Sequence, residues 1–261
     1  RQNEIKNSIE EQGKMTPELS LAIDKVEKLQ ELEDIYLPYK QKKRTRAMIA
    51  KEKGLEPLAQ FILKQEDSSE KLEDIALKYL NDEVTSSDEA LAGASDIIAE
   101  TISDSADIRA KLRQHLWETS SLSITRDKEA DSDEAFLMYE DYTEPIKHLP
   151  SHRILAINRG ESKDILKVKL ISDIDKDIAI ITKFILKQNS PYKEFLTNAI
   201  IDAYKRLIFP ALEREIRNQL TETAQTQAIH VFASNLKQLL LQAPLAGYTV
   251  MGLDPGYRTG C

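Results

Sequence analysis

The sequence predicts a mainly α-helical fold, and three observations lead to that prediction. Apolar residues recur at helical spacing along most of the chain. Glycine and proline are scarce, at 8 and 9 among 261 residues, which is not typical of a loop-rich β fold. No helix breaker interrupts residues 211–241. The expected order is a multi-helical N-terminal body, a small β-hairpin near 153–171, a long helix near 211–241 and a short strand at Tyr248–Met251.

Capping patterns mark the helices of the N-terminal body. A capping side chain or a proline ahead of an apolar stripe predicts a helix start, and a glycine after the stripe predicts its end. These signals predict helix ends at Gly13 and Gly54, and helix starts at Thr16, Thr45, Pro57, Asp67 and Ser86. A further stripe through Ile108, Leu112 and Leu116 predicts another helix.

After Pro150 the apolar spacing changes from a period of 3.6 to a period of 2. Residues 153–157 and 165–171 then have the composition of strands, and residues 158–161 read as the turn between them. Lys167 and Lys169 alternate with apolar residues, so one face of the second arm should contact water. The sequence therefore predicts a β-hairpin insert spanning residues 151–178.

The last helical region starts at Ser190 and Pro191 and leads into the long helix. Pro210 should kink or restart it. At 1.5 Å per residue, the unbroken run 211–241 would be ~45 Å long, which suggests that it bridges two domains. The acidic residues of this helix are expected mainly on its solvated faces: Glu213, Glu215 and Glu222.

Charge and cysteine content restrict the classes of function. The net charge is −8, so any contact with nucleic acid must come from a local basic patch. The single cysteine, Cys261, allows no disulfide within the chain. No apolar run approaches the roughly 20 residues of a membrane span, and no signal-peptide pattern is present. We expect a cytoplasmic protein without a membrane partner and, because the chain starts at Arg1 within a helical pattern, a fragment of a longer one.

The densest basic stretch, residues 40–46, is the candidate nucleic-acid contact. Its cations could bind phosphates, and a neighbouring tyrosine could stack on a base. The candidate residues are Tyr39, Lys40, Lys42, Lys43, Arg44 and Arg46. The alternative is a solvated basic loop whose cations pair with Glu33, Asp34 and Glu52.

Other chemical motifs are weak. His148 and His152 have a superficial metal-ligand spacing, but Pro150 prevents a helix between them and no acidic or cysteine partner falls at a regular offset. Asp254 follows the short final strand, where a carboxylate could hold a divalent metal, although residues 254–256 are also ordinary turn residues. We predict no cofactor and no metal site, and Asp254 is a candidate catalytic residue only in an intact domain.

Several stretches, in the same order, resemble bacterial Tex transcription accessory proteins. The resemblance covers nearly the whole chain and lies in residues 8–14, 31–46, 54–59, 149–153, 159–161, 203–207, 213–217 and 252–261. It implies a helical N-terminal region, a YqgF-type RNase H-like domain, helix-hairpin-helix elements and an OB-fold RNA-binding module. This chain would supply the helical region over residues 1–150 (incomplete at its start), the hairpin insert, a long-helix segment over 179–243 and the first strand of the RNase H-like domain over 248–261.

The resemblance implies a nucleic-acid-associated accessory role in transcription. This segment would act mainly as a helical scaffold, with RNA or DNA bound at low affinity and with RNA polymerase or the ribosome as protein partners. One alternative is a metal-dependent nuclease, because the position of Asp254 holds the first metal-binding carboxylate in RNase H-like nucleases. Another is a protein-interaction module. The fragment itself is expected not to be an enzyme, and the resemblance leaves the activity of the whole protein open.

Overall fold

A computed structural model describes residues 1–26, 28–40, 44–66, 70–130, 134–243 and 246–253. Its α-helices are α1 (Gln2–Glu11), α2 (Pro17–Lys25), α3 (Leu29–Tyr36), α4 (Arg46–Glu52), α5 (Glu56–Lys64), α6 (Leu72–Leu77), α7 (Ser87–Ser103), α8 (Ala106–Thr119), α9 (Ser151–Ser162), α10 (Ile174–Ile185), α11 (Lys193–Asp202) and α12 (Phe209–Leu240). Its strands are β1 (Ser121–Arg126), β2 (Tyr142–Pro145) and β3 (Leu166–Ile171). The prediction of a mainly α-helical fold is confirmed.

The local signals predicted the helix boundaries of the N-terminal body well. Thr16, Thr45 and Ser86 each accept a hydrogen bond from the backbone N–H three residues later, at 3.2, 3.1 and 3.2 Å. Gly13 and Gly54 follow α1 and α4 with φ values of +65° and +80°, which a residue with a Cβ adopts only under strain. The start predicted at Asp67 lies outside the described residues.

The prediction of a strand for the first arm of the β-hairpin is wrong, because residues 153–157 lie within helix α9. Ile154, Ile157 and Gly160 recur every three residues, and this spacing places them together on one buried helix face. A short apolar run such as 153–157 fits a strand and a buried helix equally well by periodicity alone. Tertiary packing therefore decided the conformation of this segment.

The second arm of the predicted hairpin is a strand, β3, but its partner is β1. The sheet has the order β2-β1-β3, and both pairings are antiparallel, with Ile124 opposite Val168 on one side and Tyr142 on the other. Lys167 and Lys169 are exposed, as predicted. The sheet thus packs one face on the helices and turns the other to water.

The long helix is confirmed as α12, which contains 32 residues and begins beside Pro210. A π-helical segment, Ala203–Ile208, joins it to α11, and the N–H of Phe209 bonds to the carbonyl of Tyr204. The wider π turn lets the chain restart at Pro210, which has no N–H to donate. Apolar residues of its first half are buried in the body, while residues 229–241 are exposed.

Among the residues that the structure describes, two hydrophobic clusters form the interior. A small cluster consists of Ile5, Ile9, Ile23 and Leu32, from α1, α2 and α3. The larger cluster is built from buried residues between positions 47 and 224. Helix α10 was not predicted. The strand predicted at Tyr248–Met251 is wrong: these residues are exposed and pair with none of the described strands, and a strand needs a hydrogen-bonded neighbour. No helix within the described residues is long and apolar enough to cross a membrane.

Candidate nucleic-acid interface

The predicted basic stretch connects α3 to α4, and its beginning is fixed to the small cluster. The ring of Tyr39 is partly buried against that cluster. The side-chain amide of Gln12 also donates a 2.8 Å hydrogen bond to the carbonyl oxygen of Tyr39. Tyr39 is therefore held in place by packing, with part of its ring left to solvent.

The cations of the basic stretch differ in their surroundings. Lys40 is exposed, and so is Arg46 at the first position of α4. Arg44 donates a 2.9 Å hydrogen bond to Glu52, one of the acids named as a pairing partner in the alternative prediction. Lys42 and Lys43 lie outside the described residues. Lys40 and Arg46 are thus the described cations of this stretch that face water without a carboxylate partner.

The other two acids named in that alternative do not pair with the basic stretch in the described residues. Glu33 binds the guanidinium of Arg1, with its oxygen 2.7 Å from Nε. Asp34 points inward, where Arg109 Nε donates to it at 2.7 Å and Arg113 Nη2 at 2.6 Å. Neither carboxylate therefore neutralises Lys40 or Arg46.

Asp34 belongs to a nearly buried ion network, which we call the junction network: Asp34, Arg109, Arg113 and Glu215. The side chain of Asp34 is 6% exposed and that of Glu215 is 15% exposed. Burial alone would lower the pKa of Arg113, but hydrogen bonds to Glu215 and Asp34 outweigh it and raise the pKa. The network joins α3, which carries part of the small cluster, to α8 and α12.

The sequence prediction for the acids of α12 is therefore wrong at two positions. Glu215 binds Arg113 in the junction network rather than facing water. Glu213 accepts a 2.9 Å hydrogen bond from the backbone N–H of Leu170 and thereby covers part of the edge of β3. Glu222 is exposed, as predicted. The partners of Glu213 and Glu215 are 43 and 102 positions away, so no local pattern could have revealed them.

A second buried polar cluster was not foreseen in the sequence. The carboxylate of Asp177 has no solvent exposure, and its Oδ2 accepts hydrogen bonds from Tyr204 at 2.5 Å and Ser172 at 2.7 Å. His115 Nε2 lies 3.4 Å from the other oxygen. Tyr204 sits in the π-helical segment, so the unusual backbone there brings its hydroxyl to the carboxylate.

No metal site emerges among the described residues. His148 and His152 are both exposed, and no three histidine, cysteine, aspartate or glutamate side chains of the described ranges come together in a metal-binding arrangement. Asp254, the candidate for a metal-binding carboxylate, lies outside the described residues.

A family model and several known proteins that are similar to this chain point to the same family. A family model described as Tex central region-like matches residues 67–232, more than half of the chain. The uncharacterised protein YdcI of Bacillus subtilis is 47% identical over 100% of this chain and 37% of its own length. The transcriptional accessory protein Tex of Neisseria gonorrhoeae is 39% identical, over 98% of this chain and 34% of its own length.

A human relative extends the comparison beyond bacteria. The S1 RNA-binding domain-containing protein 1 of Homo sapiens is 33% identical over 97% of this chain and 27% of its own length. The chain thus spans about a third of the length of the curated relatives it matches. The family-model match and the identity across the whole chain show that this chain belongs to the Tex family.

Proposed function

We propose that this chain is part of a transcription accessory protein that associates with nucleic acid, and that it acts mainly as a helical scaffold. The names of two relatives, one a transcriptional accessory protein and one containing an S1 RNA-binding domain, support this role. The role is one of binding and positioning, and it assigns no catalytic step to the described residues.

The scaffold role is supported by the junction network and by the long helix. The junction network joins the small N-terminal cluster to the larger body through nearly buried ion pairs. A helix of 32 residues is ~48 Å long at 1.5 Å per residue, so α12 can hold separate parts of a larger protein at a fixed distance.

The contact with nucleic acid is proposed at the basic stretch 40–46, and one observation carries it. Lys40 and Arg46 are exposed and have no carboxylate partner within the described part of the chain, while Tyr39 and the cap at Thr45 hold the two ends of the stretch in place. Because the backbone next to Lys40 and next to Arg46 is held in place, less conformational entropy is lost when these two side chains bind phosphates. The chain is acidic overall, so we expect the affinity to be low and strongly dependent on salt.

The double variant Lys40→Ala, Arg46→Ala tests this contact. Its affinity for single-stranded oligouridylate should fall roughly tenfold at low salt. The slope of log K against log salt should become shallower by about 1.4, since each lost phosphate contact contributes about 0.7 for a single strand. Fluorescence anisotropy at several salt concentrations measures both quantities.

The matched control is Lys6→Ala, Lys78→Ala, which removes two lysines that are ion-paired with Asp24 and Glu70. The control changes the net charge by the same amount but leaves the basic stretch intact. Equal losses of affinity and slope in the two double variants would mean that overall charge, not residues 40–46, governs binding.

A further inference from the structure

A cavity of about 460 Å³ lies where α3, α8 and α12 meet. Its wall includes Gln30, Glu31, Gln114, Trp117, Glu118 and Gln219. Its volume falls within the range of small-ligand pockets, roughly 300–1,000 Å³. We call it the Trp117 pocket, because it contains the single tryptophan of the chain.

Helical spacing brings three of these side chains to one side of α8. Trp117 and Glu118 follow Gln114 by three and four positions, so both lie beside it on one helix face. Trp117 is partly buried against the larger cluster, which fixes the ring. One end of the opposite wall comes from Gln30 and Glu31 at the start of α3, and Ala110, with its small side chain, leaves the interior open.

Among the described residues, the charged groups around the Trp117 pocket leave one negative charge without a cationic partner. The ammonium group of Lys28 lies 3.4 Å from the carboxylate of Glu31. Arg113 is engaged in the junction network. Glu118 has no cationic partner among the described residues, and its Oε1 accepts only a 3.3 Å hydrogen bond from the amide of Gln114. The carboxylate of Glu118 is therefore the uncompensated charge in the pocket.

We propose that the Trp117 pocket binds an arginine side chain of a partner protein. A guanidinium group stacks on the face of an indole ring and is attracted by its π electrons. It also carries five N–H donors, which need acceptors. Glu118 supplies a carboxylate, and the amide oxygens of Gln30, Gln114 and Gln219 supply neutral acceptors around it.

The charge of the whole molecule favours the same class of partner. A net charge of −8 attracts basic proteins and repels the phosphates of nucleic acid. A base could also stack on Trp117, but its phosphate would then approach the uncompensated carboxylate of Glu118. The pocket therefore favours a basic protein segment over RNA, and it is separate from the basic stretch at residues 40–46.

The single tryptophan allows a direct test. The chain labelled with ¹⁵N gives one indole N–H signal, from Trp117, which reports on its own pocket. Titration with an acetylated peptide of alternating arginine and glycine should shift that signal in a saturable manner. A peptide with glutamine in place of arginine should leave it unchanged, because it lacks the cation.

Two matched variants separate binding in the pocket from general charge attraction. Glu118→Gln should weaken the binding of the arginine peptide about fivefold to tenfold, since it removes the uncompensated carboxylate. Glu10→Gln removes one negative charge from the exposed side of α1, far in sequence from Glu118, and should have little effect on peptide binding. Both residues are exposed, so both variants should fold.

Three results would overturn the proposal. The first is an indole signal that does not shift at arginine peptide concentrations up to the millimolar range. The second is an equal loss of binding in the two variants. The third is a signal that shifts with uridine and adenosine monophosphates but not with the arginine peptide. The last result would assign the pocket to a nucleobase instead of a basic protein segment.

Discussion

Asp177 shows how a single buried carboxylate is stabilised in this fold. Its Oδ2 accepts hydrogen bonds from the hydroxyl groups of Tyr204 and Ser172, which come from different elements. Burial, and then the hydrogen bond to Asp177, raises the pKa of Tyr204 above its ordinary value of 10.0. The phenol thus keeps its proton and remains a donor to the carboxylate.

Tyr204→Phe should lower the free energy of unfolding by about 1–3 kcal/mol, because the buried carboxylate loses one of its two hydroxyl donors. Urea denaturation measures the change. Tyr79→Phe is the matched control, since Tyr79 is also packed against the larger cluster but has no described hydrogen bond through its hydroxyl. Equal losses in the two variants would contradict a specific role for the Tyr204 hydroxyl.

The same residue predicts a dependence on alkaline pH. Above pH 10.0 the tyrosine of the unfolded chain releases its proton while folded Tyr204 retains it, so the unfolded state binds fewer protons. The contribution of Tyr204 to stability is therefore full below pH 10.0 and decreases as the pH rises through the higher folded pKa. The difference in stability between the native chain and Tyr204→Phe should shrink in that range; a difference that stays constant would argue against the raised pKa.

At the scale of elements, the contact between α9 and β3 depends on a glycine. A Cβ atom added to Gly160 would lie 2.5 Å from Leu166 Cδ1 and 3.0 Å from Phe136 Cε1. Both neighbours belong to the buried core, so there is little room for them to move. Gly160 is thus needed for the close approach of helix and strand. The sequence pattern instead predicts a turn for this glycine, at residues 158–161.

Gly160→Ala should destabilise the chain by about 1–3 kcal/mol through overpacking, even though alanine favours helix formation. Gly252→Ala is the control, because a Cβ there meets nothing within 4 Å. Thermal unfolding of both variants checks the prediction. A stabilised Gly160→Ala variant would show that helix propensity outweighs the contact with Leu166.

At the scale of the whole molecule, the junction network connects the two hydrophobic clusters. Asp34 is held by Arg109 and Arg113, which lie 75 and 79 positions further along the chain. Removing one member of a nearly buried network leaves the remaining charges without partners. This lowers stability more than replacing the whole ion pair by apolar residues would. The position of the basic stretch relative to the larger body depends on these contacts, because α3 leads directly into it.

Asp34→Ala should therefore lower the free energy of unfolding by about 3–5 kcal/mol and speed amide hydrogen exchange in α1 to α3. Asp24→Ala is the matched control, since its ion pair with Lys6 joins α1 and α2 at the surface and Asp24 is 57% exposed. Hydrogen exchange with mass spectrometry and urea denaturation measure the two effects. Similar losses in both variants would mean that the junction network adds nothing beyond a surface pair.

Local signals in the sequence were sufficient to predict much of the fold. A cap such as Thr45 or an ending such as Gly54 acts within three or four residues, so its effect can be read directly. The long helix followed from the lack of a breaker over residues 211–241. The Tex family was also evident from short ordered motifs, since these are properties of the sequence itself.

Tertiary structure decided what depends on residues far apart in the chain. Residues 153–157 could form a helix or a strand, and packing against the core selected the helix. Glu215 could face water by its position in α12, but Arg113, 102 positions earlier, draws it into the junction network. The Trp117 pocket exists only where three helices meet. Periodicity describes one segment at a time, whereas ion pairs and cavities require the relative position of several.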